Sequence, residues 1–180
     1  KQIRILQCGD LATLPRYVGD DPDGACNTVK VLCDGSLVIA APLLTNVRSF
    51  RDLPAAAGES KTAGKQVSTT EPTEMQKCDL LAAWYINISV RSNGVVIVKN
   101  GQTLAVGTGE QDRVGAVEQA IEKFKQKYTG ESTLEDAVMS SDGFFPFADG
   151  LEVAAAAGIK AMVAPSGSLK DADVIKRANE

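Results

Sequence analysis

The run Val95-Val96-Ile97-Val98, closed by Lys99 and the dipeptide Asn100-Gly101, constrains this chain more than any other stretch. Successive side chains of a strand point to opposite sides of a sheet, so four consecutive apolar residues suit a strand buried on both faces. Asn-Gly supplies the positive φ values of a tight hairpin turn, and Gln102-Thr103-Leu104-Ala105-Val106 reads as the returning strand. The segments on either side supply further strands and helices.

Residues 3–6 read as a first strand, and residues 15–27, with Pro15, Gly19, Pro22 and Gly24, as a loop. Residues 29–32, Asp34-Gly35 and residues 37–40 carry a second hairpin signal. Residues 42–66 show no clear period and are expected to form a mobile surface excursion. Val67-Ser68-Thr69-Thr70 fits a short strand. Thr73 and Gln76 have capping-box spacing at the start of a helix, with Thr70 before Pro72 as an alternative start. The stripe predicted to be buried on that helix is Met75, Cys78, Leu81, Ala82, Tyr85 and Ile86, widened by Leu80 and Trp84. A second helix is expected over residues 114–128, with Val114, Val117, Ala120, Ile121 and Phe124 inward and lysines toward its C-terminus. A strand over 137–140 follows, then a helix over 151–157 capped by Asp149 and ended by Gly158, a strand over 160–164 and a last helix over 171–180. This order predicts an α/β fold, a layered mixed-sheet sandwich, as a single domain over residues 1–180.

Bulk properties exclude several function classes. A net charge of −4 gives no electrostatic case for nucleic acid or an anionic membrane. No apolar run approaches the roughly 20 residues of a membrane span, and no charged-then-apolar leader opens the chain. Cys8, Cys26, Cys33 and Cys78 form no C-x-x-C pair and read as reduced thiols of a cytoplasmic protein. The chain contains no histidine, which removes the usual general base and the commonest metal ligand, so no metal site is expected. It opens at Lys1 and stops at Glu180 within a helical pattern, as an ordered portion of a longer protein would.

The densest candidate chemistry lies in Ser140-Ser141-Asp142-Gly143-Phe144-Phe145-Pro146-Phe147-Ala148-Asp149-Gly150. Pro146 removes a backbone donor, fixes its own φ and pushes Phe145 toward extended backbone, so the rings follow an irregular, rigid path. Rigid rings beside carboxylates suit a flat, polar ligand; on composition alone, ordinary core is the favoured reading. Gly107-Thr108-Gly109, entering a helix, is a second candidate, since such turns bind phosphate. The dinucleotide and P-loop spacings are absent, and a tight strand-to-helix connection is the simpler reading.

Several segments occur together in a fixed order: Pro72-Thr73, Asp79-Leu80-Leu81-Ala82-Ala83-Trp84, Arg91-Ser92-Asn93, Lys99-Asn100-Gly101-Gln102-Thr103, Gly107-Thr108-Gly109 with Arg113, the 141–149 run, and Ala164-Pro165-Ser166-Gly167-Ser168. The ordered set resembles the C-terminal half of the AICAR transformylase domain of the bifunctional AICAR transformylase/IMP cyclohydrolase family. The resemblance is good over residues 67–180 and weaker, but collinear, over 1–41. It implies a cytidine-deaminase-like subdomain, and formyl transfer from 10-formyltetrahydrofolate, as co-substrate, to the 5-amino group of AICAR, giving FAICAR. It implies an active site at a homodimer interface. By family position, Asn93 lies near the carboxamide and reacting amine, Arg113 contacts the nucleotide, Phe144 borders the imidazole and Asp149 binds a polar group of AICAR. Pro146 and the neighbouring rings border the folate.

The chain departs from that pattern in specific places. The family's Lys-His pair, which carries the proton transfer, belongs to the first half of the domain, and no counterpart occurs here. Ala148 stands where the family has Arg, and Ala40-Ala41-Pro42 where it has polar residues. The family's last strand, with its Arg and aromatic, would lie beyond Glu180. Two expectations follow: a transformylase portion whose base comes from a first half-domain on the same or another polypeptide, or a non-catalytic relative that binds a purine precursor or serves assembly. Each site residue also has an ordinary reading: Asn93 at a strand end, Arg113 as a solvated helix-start charge, Phe144 as core, Asp149 as a cap.

Overall fold

Val95 and Ile97 point to one side of a four-stranded sheet and Val96 and Val98 to the other, and all four are almost fully buried. The structure is a computed structural model that describes residues 7, 9–20, 26–130 and 132–180; the strand expected over residues 3–6 lies outside them. The chain divides into two compact units, Lys1–Arg48 and Ser49–Glu180, where the sequence reading took one domain.

The first unit carries a 3-10 turn, Leu11–Thr13, and the antiparallel hairpin of β1 (Thr28–Val31) and β2 (Leu37–Ala40). Val29 pairs with Ile39 and Val31 with Leu37. The connection is longer than a two-residue turn: Leu32 N–H donates to Ser36 O at 2.8 Å, and Asp34 Oδ1 accepts both the N–H and the hydroxyl of Ser36 at 3.0 and 2.6 Å.

The second unit starts with a 3-10 turn, Phe50–Asp52, and a second hairpin of β3 (Ala57–Ser60) and β4 (Gly64–Val67). This pair falls in the stretch read as a surface excursion, and β4 ends where a strand was expected to begin. Then follow α1 (Glu74–Asn87), β5 (Val95–Lys99), β6 (Gln102–Gly107), α2 (Arg113–Lys127), β7 (Val138–Ser141), α3 (Asp149–Ala156), β8 (Ala161–Val163) and α4 (Asp171–Asn179). The sheet order is β6-β5-β7-β8; β5 runs antiparallel to β6 and β7, and β7 is parallel to β8. This is an α/β layered fold around a mixed sheet.

Ala116, Val117, Ala120, Ile121 and Phe124 of α2, with Ala154 of α3 and Val174 of α4, cover the Val95/Ile97 face. Leu80 and Ala83 of α1 cover the Val96/Val98 face. Removing each such aliphatic side chain from water stabilises the fold by about 1.5–3 kcal/mol, so the apolar run of β5 anchors both layers. The hairpin turn follows its sequence signal: Asn100 and Gly101 have φ of 51° and 74°.

Helix starts follow local rules in two cases and break them in a third. Thr73 N–H donates to Gln76 Oε1 at 3.0 Å and Gln76 N–H to Thr73 Oγ1 at 3.3 Å, a reciprocal capping box. Asp112 Oδ1 accepts from Gly115 N–H at 2.6 Å and caps α2. Asp149 does not cap α3. Ala148 already has helical backbone and its carbonyl accepts from Glu152 N–H at 2.8 Å, so Asp149 falls inside the first turn. The buried face of α1 also differs from expectation. Asp79, Leu80, Ala83 and Asn87 are buried, whereas Met75, Cys78 and Ile86 are exposed. Polar residues take the inner face because they have partners there: Asp79 accepts from Asn100 and Gly101 N–H, each at 2.7 Å, and Asn87 Nδ2 donates to Ser140 Oγ at 3.1 Å.

Candidate functional site

Strand direction gathers the sequence candidates at one end of the sheet. Val95, at the start of β5, pairs with Gly107 at the end of β6 and with Ser141 at the end of β7; Ser140 pairs with Val163 at the end of β8. The segments holding Asn93, Gly107–Arg113, Asp142–Asp149 and Ala164–Ser168 therefore all leave the sheet at this end. Three of the four strands present their carboxyl ends there, which is where open α/β sheets form ligand crevices.

Asn93 links two of these segments. Its Nδ2 donates to Glu110 O at 2.9 Å, its backbone N–H donates to the same oxygen at 3.2 Å, and Glu110 N–H donates back to Asn93 O at 3.4 Å. The Ser92–Asn93 peptide bond is cis. The glycine-rich turn beside it has a packing explanation: a Cβ on Gly107 would lie 1.9 Å from Ala116 O, so only glycine lets α2 approach β6. Of the free N–H groups in the first turn of α2, that of Gly115 is taken by Asp112.

Arg113 opens α2 and pairs with Asp142. Its side chain is only 11% exposed, and its Nε is buried without a partner among the described residues. This is not the solvated helix-start charge that the bare sequence allows. Asp142 also accepts from Gly94 N–H at 2.9 Å, and its own N–H donates to Gly94 O at 3.0 Å. Burial pushes the Asp142 carboxyl up, but hydrogen bonds from the Ser92 side chain, Gly94 N–H and Arg113, together with the guanidinium charge, outweigh it and hold the group below its ordinary value. Gly143 makes room for this pair: a Cβ there would lie 2.3 Å from Arg113 Nη2.

The three rings separate. Phe145 is 3% exposed, turned into the core against Gly150. Phe144 and Phe147 stand outward, 44% and 62% exposed. Core filling, one reading of this loop, thus belongs to Phe145, and Phe144 is left facing outward beside Gly143. Pro146 and Asp149 are exposed, and Asp149 Oδ1 accepts from Gly150 N–H at 2.8 Å. The structure brings Asn93 and Arg113 together through Ser92, Gly94 and Asp142, with Phe144 two residues from Asp142; Asp149 and Pro146 stand farther along the same loop and make no contact with that cluster that the structure records.

Sequence reasoning includes Asp142 only as one of the carboxylates beside the rings, and assigns no separate role to Gly143 or Ser92. The signal available was the Ser-Asp-Gly that closes β7, where a carboxylate faces the start of the antiparallel neighbour. Two concavities lie elsewhere: one of about 510 Å³ along β6 and α2, including Thr103, Leu104 and Lys123, and one of about 450 Å³ between α2 and α3, including Phe124 and Val153. Neither includes a candidate residue. Among the described residues, no group of three or more His, Cys, Asp or Glu side chains is placed to hold a metal, and no helix is long and apolar enough to cross a membrane.

With this arrangement in view, comparison with known proteins is informative. The family described as "AICARFT/IMPCHase bienzyme" matches residues 43–123. A "Bifunctional purine biosynthesis protein PurH" from Microcystis aeruginosa is 38% identical over 179 residues, covering 99% of this chain. Its namesake from Nostoc punctiforme is 36% identical over 178 residues, and that from Synechococcus elongatus 43% identical over 122 residues, or 68% of this chain. The chain spans 29% of the length of the first two relatives and 23% of the third.

Proposed function

This chain belongs to the AICARFT/IMPCHase bienzyme family, and on that premise we propose that it supplies one wall of an AICAR transformylase site in purine biosynthesis. The reaction is formyl transfer from 10-formyltetrahydrofolate, bound as co-substrate, to the 5-amino group of AICAR. The observation that carries this reading is the convergence of Asn93, Arg113 and Phe144 at the carboxyl ends of β6 and β7.

Each part has a chemical task. The aromatic amine of AICAR is weakly basic and loses a proton as it attacks the formyl carbon, while charge develops on the formyl oxygen. Asn93, fixed by the Glu110 backbone, offers an amide near the carboxamide and amine. Arg113 is the cation for the nucleotide, and Phe144 presents an exposed ring to the imidazole. Asp149 accepts a hydrogen bond from a polar group of AICAR, and Pro146 borders the folate. The chain has no histidine, so the Lys-His base pair is contributed by a first half-domain, on the same polypeptide or across a homodimer, in the cytoplasm.

The absence of histidine also favours a second reading, a relative that binds a purine precursor or serves assembly without catalysis. Assaying formyl transfer by the full polypeptide that carries this chain, with and without a Lys-His first half-domain, separates the two. Turnover only when that half is present supports the transformylase reading. AICAR binding without turnover in both conditions selects the second, and absence of AICAR binding in both rejects the two together.

A further inference from the structure

We propose that Asp142 is a positioning residue for this site, a single carboxylate that sets both the Asn93 segment and the Arg113 guanidinium. The inference rests on the transformylase reading for its functional consequence, but its structural content stands on the geometry alone.

Asp142 is the point where three elements meet. From β7 it faces the start of β5, and the two backbones exchange bonds through Gly94: Gly94 N–H to the carboxylate at 2.9 Å, and Asp142 N–H to Gly94 O at 3.0 Å. Gly94 follows Asn93 directly, so this exchange fixes where Asn93 leaves the strand. The same carboxylate oxygen holds Arg113 from α2. Ser92, on the other side of Asn93, is close enough for its side chain to help hold the carboxyl ionised. Asn93 is thus flanked on one side by Gly94, which is bound to Asp142, while its own side chain is tied to Glu110.

Charge explains why an aspartate suits this position. A guanidinium that is 11% exposed, with one nitrogen lacking a partner among the described residues, is costly unless a carboxylate compensates it. Charge-assisted hydrogen bonds are shorter and stronger than neutral ones, so the pair orients the guanidinium more firmly than a neutral acceptor would. Gly143 extends the arrangement: with no Cβ, it lets the guanidinium lie against the loop that displays Phe144. Precise placement of binding groups by such supporting contacts is a general requirement of reactive sites.

The test uses the full polypeptide carrying this chain, labelled with 15N-arginine and 15N-asparagine. Asp142→Asn keeps an acceptor for Gly94 N–H and removes the charge. In the ligand-free protein it is expected to shift both the Arg113 Nε–H signal and the Asn93 side-chain amide signals. The Asn100 amide, held by Asp79 at the opposite end of β5, is expected to stay in place. AICAR affinity by calorimetry is expected to fall roughly tenfold, the scale of one charged hydrogen bond, and Arg113→Ala combined with Asp142→Asn is expected to lose less than the sum of the two single losses. Unchanged Arg113 and Asn93 signals, or fully additive losses in the double variant, overturn the inference. If Asp142→Asn fails to fold, Ser92→Ala is read in the same spectra, with smaller displacements of both signals expected and none overturning the inference. If the unaltered protein binds no AICAR, the functional reading fails, and the ligand-free spectra alone uphold or overturn the positioning role.

Discussion

The polar and aromatic arms of the wall leave the same end of the sheet but are fixed by opposite means. In the polar arm, Ser92, Gly94, Arg113 and Asp142 exchange hydrogen bonds and charge, and the key guanidinium is nearly buried. In the aromatic arm, one ring does the fixing: Phe145 is sunk in the core while Phe144 and Phe147 stand out. The polar arm is held by directional bonds that fail when one partner is altered. The aromatic arm is held by volume and by the stiffness of Pro146, and it tolerates change wherever a side chain faces out. Each arm therefore has its own signature under substitution, and four experiments break or sharpen the contrast.

The largest effect is expected at the root of the aromatic arm. Phe145→Ala empties a filled core position and is expected to cost about 3–5 kcal/mol in urea unfolding. Next comes the junction of the arms. Gly143→Ala places a methyl against the Arg113 guanidinium and is expected to cost about 1–3 kcal/mol, with displacement of the Arg113 Nε–H signal. A Gly143→Ala protein of unchanged stability and unchanged Arg113 signal would remove the close approach from the account.

A smaller effect separates the polar arm by pH. The folded protein holds the Asp142 carboxyl below its ordinary value. Its contribution to stability is therefore fully present above the unfolded-chain value of about 3.9 and is lost as pH falls through the lower folded-state value. Urea midpoints measured from about pH 5 downward are expected to fall, and Asp142→Asn is expected to flatten part of that fall. Identical slopes in the two proteins would contradict the direction assigned to Asp142.

Much of the scaffold is legible in the sequence, because the features concerned are local. The capping box at Thr73 and Gln76, the Asn100-Gly101 turn and the doubly buried run of β5 each declare themselves within a few residues. What escapes is set by distant partners. The β3–β4 hairpin, built on Ala57, Gly58 and Gly64, has little strand propensity of its own. It is tied to α4 by Thr62 Oγ1 donating to Asp173 at 2.6 Å and Asn179 Nδ2 donating to Val67 O at 2.9 Å. The inner face of α1 escapes for the same reason: an apolar count passes over Asp79 and Asn87, whose burial depends on the β5–β6 turn and on Ser140.

The site divides along similar lines. Which segments gather at one end of the sheet is readable, since Asn93, Arg113, Phe144 and Asp149 stand in distinctive runs. Which of the adjacent rings turns inward is not, because Phe144 and Phe145 are chemically identical and only the path from β7 to α3 separates them. The pairing of Asp142 is hidden for a related reason: its partners Gly94 and Arg113 are far away in the chain. The cap expected of Asp149 fails by one residue because Ala148 is already helical.

Phe144 gives the smallest expected change in stability and the most direct test of the wall. Phe144→Ala is expected to leave urea unfolding within about 0.5 kcal/mol of the unaltered protein, as exposed positions do. Calorimetric titration of AICAR into the full polypeptide carrying this chain, unaltered and with Phe144→Ala, is then decisive. The account predicts binding to the unaltered protein and an affinity roughly tenfold lower in the variant, the scale of one base–aromatic stack. Equal affinity in the two, at equal stability, would contradict it.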